Sequence, residues 1–169
     1  MMRKMCFVVI AMFLLTGTFA FAQEDIHNHP SCPLCGMDRA KFSHGRMLIE
    51  YDDGTSFGAC SLHCAAVELA VNIDKTPKMI WVADYDTKQL IDAEKAVWVI
   101  GGSKSGVMTK RAKWAFEKKA DADKFIAENG GAIVTFDQAI RSAYEDMYQD
   151  TKMIRDKRKM MKMNKMQSK

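Results

Sequence analysis

Six sulfur-bearing side chains carry the chemistry this sequence suggests: Cys32, Cys35, Met37, Cys60, Cys64 and Met108. Cys32 and Cys35 lie in Cys-Pro-Leu-Cys-Gly-Met, two residues apart. Two thiolates at that spacing can hold one ion, because the chain curls back and the sulfurs converge. Gly36 lets the turn take a positive φ and leaves backbone amides free to donate to sulfur. Cys60 and Cys64 span the expected start of a helix. Their spacing puts both sulfurs on one face, near the positive end of the helix dipole, which favours thiolate. The full pattern, C-x2-C-x24-C-x3-C, places a knuckle before a hairpin and then a helix-borne pair, the arrangement of treble-clef zinc sites. Two structural disulfides are the alternative in an oxidising compartment. A redox dithiol at Cys32 and Cys35 is a third, weakened because Gly36 and Met37 lead into a loop and not into a helix.

Met37 follows the knuckle directly. Met108 sits in the Gly- and Ser-rich stretch GGSKSGVMT, where an apolar side chain has no periodic reason to be. Both offer a soft thioether, and both are also plausible packing residues. His63, between Cys60 and Cys64, reads as a third ligand, a supporting group or an exposed helix residue. His27 and His29 read as residues able to close over an ion, or as solvated linker. His44, beside Gly45, reads as solvent-facing. Near the C-terminus Met153, Met160, Met161, Met163 and Met166 alternate with basic residues. They suit ion transfer along a flexible segment, a docking surface, or simply a solvated basic tail.

These residues need elements to position them. Residues 1–22 read as a secretory signal peptide: Arg3 and Lys4, an apolar run from Cys6 to Leu15, then Ala20-Phe21-Ala22 before cleavage. Residues 23–31 read as a flexible leader. The first α+β unit, 32–91, has a strand at 46–51, a turn at Asp52-Asp53-Gly54, a second strand to Cys60, a helix N-capped by Ser61 and a strand at 78–85. The second unit, 92–137, repeats the order with strands at 96–102 and 112–118, a helix stopped by Gly130-Gly131, and a strand at 132–136. The fold class is therefore α+β, two similar strand-strand-helix-strand units packed together and followed by a C-terminal helix. That helix opens at Asp137, and 138–169 comprise it and a Met-rich tail into which it frays. Charge divides the chain. From Gln23 to Asp150 there are 15 Lys and Arg against 20 Asp and Glu; from Thr151 onward eight basic residues face Asp156 alone. An acidic body carries a basic tail, suited to weak contact with an anionic membrane surface.

The segments CPLCGM, LIEYDDGTSFGAC, VADYDTKQLIDAEKAVWVIGG, GVMT and ADADKFIAENGGAIVTFDQA resemble the NosL family of copper chaperones that serve nitrous oxide reductase assembly. The resemblance covers roughly residues 30 to 140. It implies a two-unit α+β fold, export to the periplasm and a Cu(I) site in which Cys32, Cys35, Met37 and Met108 take part. It also implies a partner, a copper enzyme or its assembly complex. Cu(I) prefers thiolate and thioether, so the residues agree with the resemblance. GVMT stands where the family has Gly-Pro-Met-Gly, and no lipoprotein anchor is present. The Cys60/Cys64 pair is an addition that resembles TRASH and YHS-type metal-binding domains. The alternative is a treble-clef-like module in which all four cysteines hold Zn(II) structurally and function rests on protein contacts. No phosphate loop, Ser-His-Asp order or paired carboxylates suggest an enzyme, and no motif suggests nucleic-acid binding. The oligomeric state is not legible.

Overall fold

The computed structural model describes residues 24–167. The segment read as a signal peptide lies outside the described residues. In chain order the elements are α1 (Glu24–Asn28), a 3-10 turn (Ser43–Gly45), β1 (Met47–Tyr51), β2 (Ser56–Ala59), α2 (Leu62–Val71), β3 (Pro77–Ala83), β4 (Leu90–Asp92), β5 (Val97–Ile100), β6 (Lys113–Phe116), α3 (Lys119–Asn129), β7 (Ala132–Val134) and α4 (Phe136–Gln167).

Two antiparallel sheets form, ordered β2-β1-β3-β4 and β6-β5-β7. In each, the first strand of the unit is central, the second pairs on one side, and the strand after the helix pairs on the other. The two-unit α+β reading is thus what the chain adopts. On β1 the period of two is explicit: Met47, Ile49 and Tyr51 are buried, while Leu48 and Glu50 are partly exposed. Each buried aliphatic contributes about 1.5–3 kcal/mol. Strand β4 was not expected; three residues bounded by turns are too short to show a period.

The units meet where β3 runs toward β6. Asp84 forms a parallel bridge with Ala115, and the Tyr85 N–H donates to the Ala115 carbonyl at 2.8 Å. The Asp84 carboxylate accepts from the Thr87 N–H and hydroxyl at 2.7 Å each and from the Glu117 N–H at 2.9 Å. Around this seam His44, Tyr85, Trp114, Phe116 and Phe125 stack with ring centroids 5.0–5.9 Å apart. His44 is therefore half-buried among aromatic rings, not solvent-facing, and desolvation lowers its pKa. Apolar neighbours, which the local Ser-His-Gly context does not reveal, decide its place.

Two further expectations are corrected. The leader, read as flexible, carries the short helix α1, which turns Asp25 into a buried site, 9% exposed. There Asp25 accepts from Arg39 Nη2 at 2.8 Å and from Arg46 Nε and Nη2 at 2.9 and 3.0 Å. Both guanidiniums are fully buried and also donate to carbonyls, Arg39 to Asp25, His29, Met47 and Ala59, and Arg46 to Ser43 and Lys88. Buried charges need such saturation. The tail is not frayed either. α4 runs 32 residues without a break. From Phe136 to Gln167 the chain has no Gly or Pro and is rich in Lys, Arg, Met and Gln, all good helix formers. Phe136, Ala139, Ala143 and Asp150 are buried at helical spacing, and α4 packs on β5 and α2 through that stripe.

Candidate metal centre

The knuckle closes through two backbone bonds. Gly36 N–H donates to Cys32 O at 2.8 Å, and Cys32 N–H donates to Met37 O at 2.9 Å. Gly36 takes φ +74°, a conformation that disfavours any side chain, and Ser31 bridges Asp38 beyond it. The hairpin β1–β2 then returns the chain, and Cys60 follows the last residue of β2. Ser61 occupies the N-cap position of α2, but its hydroxyl makes no capping bond and lies 3.8 Å from Cys60 Sγ. Cys64 is in the first turn.

These elements bring all four cysteines together. Their Sγ atoms lie within 4.8 Å of one another, with Cys35–Cys60 at 3.4 Å and Cys60–Cys64 at 3.7 Å. All four are free thiols. Cys32, Cys60 and Cys64 are buried, and Cys35 alone is partly open. The cluster concentrates negative charge on some sulfurs and protons on others. Hydrogen bonds from Cys35, then Cys60 and Cys64, with the Cys60 N–H, hold Cys32 far below the usual thiol range. For Cys35, the bond with Cys32 pushes upward, but bonding with Cys60 and Cys64 and the Met37 N–H brings it down to about 7. Cys60 and Cys64 are pushed up, first by Cys32 and then by Cys35. Without a cation four thiols cannot all ionise in one place; an ion would displace the remaining protons. Burial lowers the Arg39 pKa, opposed chiefly by Asp25 and only weakly by Cys32.

Met37 and Met108 join Cys35 in lining a cavity of about 380 Å³ that opens beside the cluster. Met108 holds φ +61°, one of two non-glycine residues with positive φ among those described. That costs about 1–2 kcal/mol, so the loop is over-determined around it. Gly106 permits the tight turn before it: a Cβ there would come within 2.6 Å of Thr109 Cγ2. The same cavity is lined by Met153, Ile154, Lys157, Arg158 and Met161 of α4. Arg158 Nη2 donates to the Cys35 carbonyl at 2.8 Å, and the Lys110 N–H donates to Asp150 Oδ1 at 2.9 Å. Two of the tail's methionines, Met153 and Met161, thus border the opening beside Cys35, while Met160, Met163 and Met166 are exposed. The signal for the first two was present in the sequence as one helical stripe, Met153, Lys157 and Met161 with Ile154 and Arg158, in a run without helix breakers.

The histidines do not join the cluster. His63 is buried, its Nδ1 3.7 Å from Asp150 Oδ2, and burial lowers its pKa. It is neither exposed nor among the residues gathered around the sulfurs. His29 Nε2 lies 2.9 Å from Ser56 Oγ, and His27 is exposed beside Asn28.

The fold and the site together define a two-unit α+β protein organised around a cluster of soft sulfur donors. The chain belongs to the NosL family, whose sequence profile matches residues 23–144. Among solved structures it is similar to the copper chaperone NosL from Shewanella denitrificans, with 25% identity and a TM-score of 0.52; the match covers 63% of this chain and 87% of that one. No curated protein matches it significantly. Among the described residues, no helix is long and apolar enough to cross a membrane.

Proposed function

We propose that this protein is an exported copper-binding accessory protein, which takes one Cu(I) on Cys32, Cys35, Cys60 and Cys64 and hands it to a copper enzyme such as nitrous oxide reductase or to its assembly complex. The observation that carries the reading is the asymmetry of the cluster: three sulfurs are buried, and the fourth, Cys35, faces a methionine-lined opening. Cu(I) exchanges by ligand substitution, so a partner needs one accessible donor to begin displacing. Cys35, near pH 7 in its protonation balance, is that donor. Met108 and Met37 border the same opening and would accept the ion as Cys35 releases it, since thioethers bind Cu(I) more weakly than thiolates do. The NosL membership of the chain and its likeness to a protein named as a copper chaperone support this ion over others. Export through residues 1–22, with cleavage near Ala22, keeps the protein where such enzymes mature. The basic end of α4 gives weak attachment to an anionic membrane surface.

A second reading has its own observation. The 3.4 and 3.7 Å sulfur spacings approach the edge of a tetrahedron with metal–sulfur bonds of about 2.3 Å, which suits Zn(II). In that case the cysteines hold the first unit together and function rests on protein contacts. Anaerobic titration of the reduced protein separates the two. One Cu(I) at the cysteines, seen by thiolate-to-copper absorption and removed by a competing Cu(I) chelator without unfolding, is expected. Tight zinc whose removal melts the domain would replace this reading with the second.

A further inference from the structure

The outer face of the first sheet carries a groove that the metal centre does not use. Side chains alternate along β1, so Leu48 and Glu50 point away from the core that Met47, Ile49 and Tyr51 enter. Leu48, Trp81 and Leu90 give an apolar floor to a groove of about 630 Å³, and α1 borders it through Glu24 and Asn28. A helix as short as α1 does not hold itself; the buried network of Asp25 with Arg39 and Arg46 fixes it there. Those two arginines neutralise Asp25, and no Lys or Arg lines the groove, so Glu24 and Glu50 leave it acidic. Glu50 is set in place by the Trp81 indole N–H, which donates to its Oε2 at 2.9 Å.

The end of α4 is the complement of this groove. Past Arg158, which bonds the Cys35 carbonyl, the helix runs on to Gln167, about 13 Å further at 1.5 Å per residue. Met160, Met163 and Met166 recur every three residues and so share one side; all three are exposed, and Lys159 and Lys162 accompany them. Its own groove is out of reach. α2 packs on the core side of the first sheet and α4 packs on α2, whereas the groove lies on the opposite side. A helix without Gly or Pro does not turn back. We propose that the groove receives the basic, methionine-faced end of α4 from a second copy of this chain. Lysines then meet Glu24 and Glu50, and flexible thioethers pack on Leu48, Leu90 and the Trp81 ring. Two copies exchanging their ends about a two-fold axis fill both grooves and close the assembly. A membrane-surface helix sets Trp, Phe or Leu against its basic face, and residues 159–167 contain none of these.

The test is sedimentation of the reduced protein over a series of concentrations at low ionic strength. The sedimenting mass is expected to double as concentration rises, and added salt to reverse the doubling. Reversing the groove, by Glu24→Lys with Glu50→Lys, is expected to abolish association. Reversing the helix end, by Lys159→Glu with Lys162→Glu, is expected to do the same. An equimolar mixture of the two variants is expected to regain it, because each chain then finds an opposite charge at both contacts. Met160→Ser with Met163→Ser, at exposed positions that folding does not depend on, should weaken association without changing any charge. None of these positions belongs to the metal centre, so Cu(I) uptake is expected to be the same in all, and a failure of the copper reading leaves this contact standing. A monomer at every concentration overturns the proposal. So does association that survives reversal of the helix end, or a mixture that stays monomeric. Binding of the wild-type protein to vesicles of anionic phospholipid, with no self-association in their absence, would give the basic end to the membrane and not to the groove.

Discussion

The two units share a topology but not a chemistry, and the junction between second strand and helix shows how. In the first unit, β2 runs out at Ala59 and α2 begins at Leu62; in the second, β6 ends at Phe116 and α3 begins at Lys119. The positions that hold Cys60 and Cys64 in one correspond to Glu117 and Asp121 in the other. The first junction is buried under the knuckle and α4. The second is exposed at Glu117 and borders a shallow charged cleft with Lys104, Lys124 and Glu128. A strand-to-helix turn offers its free amides and positive dipole end in both cases. What turns one into a metal centre is added cover: a knuckle before it, a buried arginine pair behind it, and a long helix over it. The second junction has none of these; its unit is held by aromatic packing around Trp98, Phe116 and Phe125 and by the first turn of α4 through Phe136.

The largest effect should come from breaking the polar support of the first unit. Asp25→Ala leaves Arg39 and Arg46 buried without their carboxylate, and a broken buried ion pair costs about 3–5 kcal/mol. Phe116→Ala in the second unit costs a similar amount, about 3–5 kcal/mol, by leaving a cavity. Chemical denaturation measures both, and metal titration separates them. Asp25→Ala is expected to weaken ion binding as well, because the Arg39 it anchors also holds the Ala59 carbonyl, next to Cys60; Phe116→Ala should leave the affinity of the surviving folded protein unchanged. Equal loss of affinity in both would erase the contrast between the units.

Next in size is the direct exchange of ligands. Cys64→Ser is expected to lower Cu(I) affinity by more than about 100-fold, since even outer supporting groups of metal sites cost 10–100-fold. Asp121→Ser, at the matching position of the second unit, should change it by less than about twofold. Competition with a Cu(I) chelator reads both. An unchanged affinity in Cys64→Ser would remove the helix-borne pair from the site and return the knuckle to a two-cysteine centre.

The contrast explains what the sequence could reveal. The paired ββαβ order was legible because period-two strands and Gly or Pro punctuation recur twice. The cysteine cluster was legible because spacing alone makes knuckles and helix faces converge. By contrast, the Asp25–Arg39–Arg46 network joins residues 14 and 21 positions apart through side chains that follow no period. Nothing local marks Asp25 as buried. The burial of His44 and His63 is likewise set by elements distant in sequence, Trp114 for one and Asp150 for the other. The role of α4 was half visible: its methionines stood out and its basic end is solvated as one reading had it, but nothing local showed that its Met153 and Ile154 turn toward the opening beside Cys35.

The seam between the units gives a smaller and pH-dependent effect. Burial pushes the Asp84 carboxyl up, but the donors from Thr87 and Glu117 outweigh it and hold its pKa below the ordinary 3.8. The folded value is the lower one, so the charged form stabilises the fold above the unfolded value. That contribution is lost as the pH falls through the folded pKa. Asp84→Asn keeps the shape while removing the charge, and should cost about 1–3 kcal/mol at neutral pH. Thermal unfolding at a series of pH values should show the gap between wild type and variant narrowing below about pH 4. A constant gap across that range would mean that the seam is held by Tyr85 and the aromatic rings, and not by this carboxylate.

The smallest effect contrasts the two strained residues. Lys88, in the turn after β3, has φ +63°, and Met108 has φ +61°. Glycine relieves the left-handed strain at either position, a gain of about 1 kcal/mol at most. Lys88→Gly forfeits an amine that donates to the Tyr85 carbonyl and lies 4.8 Å from the centre of that ring. Met108→Gly forfeits a half-buried thioether. In both cases gain and loss are comparable, so denaturation midpoints should shift by no more than about 1 kcal/mol in free energy. Copper is expected to discriminate where stability does not. Met108→Gly should slow Cu(I) transfer to a chelator, because the thioether that receives the ion from Cys35 is gone, and Lys88→Gly should leave it unchanged. If Met108→Gly stabilises the protein by a full 1 kcal/mol and leaves transfer unaltered, the strain at Met108 serves only the loop's own closure. The methionine would then lose its claim on the ion.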